Sequence, residues 1–160
     1  MRTHVRVVGW GMINICGGDM LEGDAEAVVC TVNTKGVMGK GVALACARRF
    51  EGLEDRYAAA CAGGEVRVGE MWTFPTGLLL GPRLIVCFPT KEHWARPSRL
   101  EWVASGLAAL VKTIEHHGLE SVAVPALGCG LGGLAWPHVE RLIQDALGSV
   151  EARIDVYPPR

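Results

Sequence analysis

Nowhere in this chain do two cysteines stand close enough to form a metal knuckle or a redox pair. Cys16, Cys30, Cys46, Cys61, Cys87 and Cys129 are scattered singly, with no CxxC and no Cys/His cluster, so no metal site is expected. Most lie in apolar runs and read as buried free thiols of a reducing compartment. Long hydrophobic runs are missing as well, since nothing approaches the roughly 18 consecutive apolar residues that span a bilayer. The segment Met1 to Gly11 sets Arg2, His4 and Arg6 among valines and has no apolar core with a cleavage site, so it reads as a strand and the protein as cytoplasmic. Charge of one sign is not in excess. Lys and Arg number 16 against 17 Asp and Glu, a formal net charge of -1, which excludes bulk attraction to nucleic acid or to an anionic membrane. Any nucleic-acid contact must then be local. No Ser/His/Asp or Cys/His order suggests a nucleophilic triad, and no paired carboxylates suggest a two-acid glycosidase.

Glycine, by contrast, is plentiful, with 21 in 160 residues, in a chain that is 49% apolar and 21% charged. That length fits one domain able to bury a sizeable core. Alternating or continuous β-branched runs predict strands at Val5 to Gly9, Ile13 to Cys16, Ala27 to Val32, Glu70 to Pro75, Leu84 to Phe88, Ser121 to Val124 and Ala152 to Tyr157. Helical spacing predicts helices at Gly41 to Arg49, Leu53 to Ala62, Ser98 to His117 and Trp136 to Leu147. Ser98 is the expected N-cap of the third, Gly118 its stop, and Pro137 suits a first helical turn. The β-rich start and the later βα alternation predict an α/β fold, a mixed, mostly parallel central sheet flanked by helices.

Two of the glycine clusters, Gly36-Val37-Met38-Gly39-Lys40-Gly41 and Gly128-Cys129-Gly130-Leu131-Gly132-Gly133, each follow a strand-like run and precede a helix-like one. That arrangement offers backbone N–H groups to phosphates, and two such loops imply a diphosphate between them. The bland reading is that these glycines merely serve tight turns. The first loop is not a Walker A sequence, because Thr34 and Gly41 stand where that motif needs a glycine and a Ser or Thr. The second fits GxGxxG letter for letter, yet only five residues follow the acidic Asp155, too few for the further βα units of a dinucleotide fold.

Ligands of open α/β sheets gather beyond the carboxyl ends of strands, and there the unusual polar residues cluster. Asp19, after Gly17-Gly18, is a turn residue or a carboxylate able to accept from an adenine amino group. Asn33 supports its own loop or holds a ribose hydroxyl. Lys40 at a helix start is electrostatically misplaced unless an anion neutralises it, or it is a solvated surface lysine. Lys91 follows a buried strand among Pro89, His93 and Trp94, a setting that lowers an amine's pKa and frees it as nucleophile or base; the alternative is a surface lysine on a loop. His93 is either a general acid or base or a packing residue beside Trp94. Cys129 in its glycine loop is a thiol that neighbouring N–H groups could activate.

Taken together, Gly18-Asp19-Met20-Leu21, the run Val32 to Leu44, the run Phe88 to Trp94 and the run Val124 to Leu134 resemble the macrodomain family, the ADP-ribose-binding α/β module, over nearly the whole chain. Thr90-Lys91 and the form of both loops are similar to the branch of terminal ADP-ribose glycohydrolases and DNA ADP-ribosyl glycohydrolase antitoxins. The resemblance implies a single macrodomain over residues 1–160, although such antitoxins commonly carry a further carboxyl-terminal domain. It implies adenine recognition at Asp19, a distal-ribose contact at Asn33, further ligand contacts at Met20, Thr34 and Thr90, a first loop at Gly39, Lys40 and Gly41, a diphosphate wrapped by Gly128, Cys129, Gly130, Leu131 and Gly132, and a catalytic Lys91. Protein-directed members of the branch place an aspartate in the second loop; Gly132 stands there, as in DNA-directed members. Glu92 stands where a basic residue is expected in the antitoxins. The implied activity is removal of ADP-ribose from thymidine in DNA or from acidic side chains of proteins, with no cofactor, since ADP-ribose is ligand and product. The alternatives are a non-catalytic ADP-ribose reader and an O-acetyl-ADP-ribose deacetylase. Lys35, Lys40, Arg96 and Arg99 are the cations expected to meet a nucleic-acid strand.

Overall fold

A computed structural model describes residues 3–8 and 11–160, with side chains from residue 13 onward. Its strands are β1 (Thr3–Val8), β2 (Gly11–Cys16), β3 (Ala27–Val32), β4 (Trp72–Pro75), β5 (Leu84–Pro89), β6 (Ser121–Val124) and β7 (Arg153–Val156). They form one sheet in the order β1-β2-β7-β6-β3-β5-β4. The two outer pairs, β1 with β2 and β4 with β5, are antiparallel, and every inner pairing is parallel. The expected mixed, mostly parallel sheet is what forms. The predicted strand end at Gly9 lies outside the described residues. β4 starts at Trp72 and not at Glu70, because the Glu70 N–H turns back onto the Arg67 carbonyl at 3.1 Å.

Parallel strands covered on both faces read as continuous apolar runs, and β5 is buried from end to end. Side chains then divide by the two-residue period of a strand. Ala27, Val29, Leu84, Val86 and Phe88 face one core with helices α3 (Leu100–His117) and α4 (Trp136–Leu147). Val28, Cys30, Val32, Ile85 and Cys87 face the other, with α1 (Gly41–Arg49) and α2 (Leu53–Ala62). Val139, Ile143 and Leu147 of α4 are buried at four-residue spacing, the stripe that docks a helix on a sheet. α3 lies so near the sheet that a Cβ on Gly106 would overlap the Phe88 ring.

The predicted cap of α3 is wrong. Arg99 occupies the N-cap without a side-chain cap bond, and α3 begins at Leu100. Ser98 is instead drawn into the second glycine loop, where its N–H donates to the Gly132 carbonyl at 3.0 Å. The stop at Gly118 is as expected, with φ 58 and its N–H on the Ile114 and Glu115 carbonyls. All six cysteines are free, and Cys16, Cys30, Cys46 and Cys87 are buried. Among the described residues, no helix is long and apolar enough to cross a membrane.

Candidate functional site

Because β2, β7, β6, β3 and β5 all run the same way, their carboxyl ends emerge along one edge of the sheet. A cleft of about 1360 Å³ opens there. This exceeds the ~300–1000 Å³ of a typical small-ligand pocket. Its walls include Asp19, Met20, Asn33, Gly39, Lys40, Gly41, Thr90, Lys91, Gly128, Cys129, Gly130, Leu131 and Gly132. Every expected binding residue except Thr34 therefore reaches one cavity. Thr34 is a correction: its hydroxyl donates to the Glu92 carbonyl at 2.9 Å, which ties the first loop to the segment carrying Lys91.

The side chains at the two ends of the cleft are held differently. Asp19 caps a single 3-10 turn, Met20–Glu22, accepting from the Leu21 N–H at 2.9 Å through one carboxylate oxygen. Its other oxygen is left for a ligand donor. Asn33 is 7% exposed, and its amide is largely committed to its own loop. Its Oδ1 accepts from the Lys35 N–H at 2.8 Å and from the Tyr57 hydroxyl at 2.9 Å, while its Nδ2 donates to the Val37 carbonyl at 2.9 Å. An amide nitrogen carries two hydrogens, so one donor remains for a ribose oxygen. Tyr57, fully buried on α2, also donates to the Asn33 carbonyl at 2.6 Å. Nothing local marked Tyr57 as part of this loop, because the partners lie 24 residues apart.

At the start of α1, Lys40 occupies the N-cap with no side-chain cap bond. Among the described residues it joins no ion pair. An anion seated at this helix start would therefore meet both unpaired N–H groups and a cation.

The second loop is shaped by contacts that exclude side chains. Gly128 has φ 71, and a Cβ there would stand 2.8 Å from Leu134 Cδ1 and 3.1 Å from Ser98 Cβ. A Cβ on Gly132 would overlap the Gly128 carbonyl oxygen and the Ser98 hydroxyl, and would lie 2.8 Å from the Gly128 carbonyl carbon. An aspartate, the residue expected here in protein-directed members of the branch, thus has no room in this loop. Ser98 is 5% exposed, and its hydroxyl has no hydrogen-bond partner.

Lys91 connects this loop to the β5 exit. Its amine donates to the Leu131 carbonyl at 3.1 Å and to the Trp94 carbonyl at 3.3 Å. Burial lowers its pKa from the usual lysine value, as expected for a group asked to release a proton. Thr90, 4% exposed, pins the segment through its N–H on the Val32 carbonyl at 3.0 Å. Activation of Cys129 is not supported: burial pushes its thiol up to about 11, and its Sγ points at the Leu127 carbonyl, 3.6 Å away. His93 stacks on Trp94 with ring centroids 3.9 Å apart, and its Nδ1 accepts from the Ala95 N–H at 3.0 Å. That is the packing reading of this histidine, with Nε2 as its free ring atom.

Tyr157, Pro158, Pro159 and Arg160 also line the cleft. Sequence reasoning missed them by collecting four strand exits and not the fifth, β7, although its run of apolar residues was recognised. The Tyr157 N–H donates to the Val124 carbonyl at 2.9 Å, setting this exit beside that of β6.

An α/β module with two apposed glycine loops at the carboxyl edge of its sheet is a binding domain for a diphosphate-containing nucleotide. The Macro domain family model matches residues 29–143, and the chain belongs to that family. It is 46% identical over 149 residues to a DNA ADP-ribosyl glycohydrolase of Thermus aquaticus, covering 92% of this chain and 41% of the relative. The chain spans about two fifths of the length of this relative and of the Mycobacterium tuberculosis DNA ADP-ribosyl glycohydrolase it also matches. Its fold superimposes on the macrodomain of Mycobacterium tuberculosis DarG with a TM-score of 0.89 at 46% identity, covering 94% of this chain and 99% of that one. It is also similar to Thermosipho africanus DarTG in complex with ADP-ribose, with a TM-score of 0.88 at 31% identity, covering 99% of this chain and 43% of that one.

Proposed function

We propose that the chain is an ADP-ribosyl glycohydrolase that removes ADP-ribose from thymidine in DNA. The observation that carries this reading is Lys91, an amine with a lowered pKa held at 3.1 Å against the Leu131 carbonyl of the second glycine loop. The names of the relatives that share nearly half its residues support the choice of substrate. Gly132 favours DNA over protein acidic side chains, because the loop leaves no space for the aspartate of the protein-directed members.

In this mechanism the adenine end lies by Asp19 and Met20, and the diphosphate lies between Gly39 to Gly41 and Gly128 to Gly132. The bound loops then hold the distal ribose in a near-attack position, which supplies much of the rate enhancement. The neutral Lys91 amine attacks the anomeric carbon. The electron pair of the glycosidic bond passes to the thymine base, which takes up a proton as it leaves. Water hydrolyses the resulting sugar–amine bond, releasing ADP-ribose and restoring Lys91. The base must be single-stranded or extruded to reach the cleft. Six free cysteines fit a reducing compartment such as the cytoplasm.

The test is release of ADP-ribose from a thymidine-modified oligonucleotide by the wild type and by Lys91→Ala, with ADP-ribose binding measured in parallel. Release by the wild type, lost in the variant with binding retained, is the expected result. Binding without release by the wild type would make the chain a reader, and release only from O-acetyl-ADP-ribose would make it a deacetylase.

A further inference from the structure

Beside the main cleft lies a second pocket of about 350 Å³, lined by Lys35, Glu92, His93, Arg96, Arg99 and Trp102 together with Pro97. Arg96 and Pro97 also line the main cleft, so the two cavities share a wall. The charge here departs from the chain as a whole, which carries -1. Lys35, Arg96 and Arg99 outnumber Glu92, and among the described residues none of the three is in an ion pair. Unpaired cations packed together repel one another, and a polyanion relieves that repulsion. The pocket also has an aromatic floor. The Arg99 guanidinium lies 4.9 Å from the centroid of the Trp102 ring, a layered platform of the kind on which bases stack. At the shared wall a second platform, the His93–Trp94 stack, turns toward the main cleft with Trp94 52% exposed.

We propose that this second pocket docks the single strand next to the modified nucleotide, with a neighbouring base against the Trp102–Arg99 platform and its phosphates on Lys35, Arg96 and Arg99. The inference rests on the DNA reading of the main cleft. An acidic peptide would satisfy the cations but leave the aromatic platforms unused, whereas a nucleotide uses both. Docking of the flanking strand also holds the modified base clear of a duplex, as the reaction requires.

Binding of a short unmodified single-stranded oligodeoxynucleotide, followed by fluorescence anisotropy over a range of salt, tests the pocket without any catalytic step. Trp102→Ala is expected to weaken binding ~5- to 100-fold, the usual effect of losing one stacked base. Lys35→Ala and Arg99→Ala should each reduce the slope of log K against log salt by about 0.7. ADP-ribose affinity should stay at the wild-type value in all three, which also reports that the variants are folded. Equal oligonucleotide binding by wild type, Trp102→Ala and Arg99→Ala would overturn the proposal, as would stronger binding of polyglutamate than of the oligonucleotide. A wild type that binds the oligonucleotide through these residues but releases no ADP-ribose would leave the pocket standing and sink the glycohydrolase reading instead.

Discussion

Replacing Gly132 by aspartate puts into this chain the residue expected in the second loop of protein-directed members of its branch, and the loop has no room for it. The Cβ alone would stand 2.8 Å from the Gly128 carbonyl carbon, where ordinary carbon–carbon contact needs ~3.5–4.0 Å. The loop must therefore open by about 0.7–1.2 Å. Neither side can yield cheaply. Gly128 is itself confined by Leu134 and Ser98, and the Gly132 carbonyl is the acceptor that holds the Ser98 N–H at 3.0 Å. Overpacking of this kind costs ~1–3 kcal/mol. At ~2–4 °C per kcal/mol for a domain of this size, the melting temperature should fall by about 2–12 °C.

The functional cost should be larger than the stability cost. Leu131, the residue before Gly132, supplies the carbonyl that holds the Lys91 amine at 3.1 Å. A displacement near 1 Å at a reacting group costs on the order of 100-fold in rate. Single-turnover release from a thymidine-modified oligonucleotide, run with calorimetric ADP-ribose titration and thermal denaturation, measures all three effects. Gly132→Ala should behave like Gly132→Asp, since the clash begins at Cβ. A Gly132→Asp protein that melts with the wild type and cleaves within a few-fold of its rate would refute the steric reading of this loop.

The pH dependence of release reports the form of Lys91 that reacts. Burial lowers its pKa from 10.5, so a neutral-amine mechanism predicts a rate that rises with pH and reaches half its plateau below that value; a rate that falls as pH rises would assign the work to the ammonium. The same sign holds for stability: the unfolded chain binds this proton more tightly, so Lys91 destabilises the fold at neutral pH, and the penalty fades as pH rises through the window between its lowered value and 10.5. Tyr57→Phe removes the donor to the Asn33 carbonyl and Oδ1, 2.6 and 2.9 Å away, and should cost ~1–3 kcal/mol with weaker ADP-ribose binding. Wild-type melting and affinity would show that the first loop does not depend on that bond. Gly106→Ala gains helix propensity of about 1 kcal/mol but drives a methyl into the Phe88 ring, so thermal denaturation should show a net loss; a gain would mean that α3 lifts away freely.

Much of this site was legible in the sequence because its determinants are local. A glycine demanded by a positive φ, as at Gly128, shows itself in the letters of its own loop. The strand runs that deliver Asn33, Lys91 and Gly128 to one edge are continuous and apolar, and parallel burial leaves them no other reading. What could not be read depends on distant partners. Tyr57 looked like one more aromatic on an amphipathic helix, and only the fold sets it under Asn33. Trp102 meets Arg96 and Lys35 only because the fold sets the start of α3 beside the first loop. Thr34 is expected at the ligand, but its hydroxyl turns to the Glu92 carbonyl, 58 residues away in sequence.

Ser98 shows why the missed residues bear on function. A serine three residues before Glu101 satisfies the local rules for a helix cap. Its N–H is instead committed to the Gly132 carbonyl, and its Cβ stands 3.1 Å from where a side chain on Gly128 would begin, so this one position bears on both glycines of the second loop. The loop in turn fixes Lys91 through Leu131. In the proposed reaction, substrate preference and catalytic geometry are therefore not separable. An aspartate at position 132 would meet the Gly128 backbone whatever side chain stood at position 98, and opening the loop to admit it would move the carbonyl that holds the Lys91 amine.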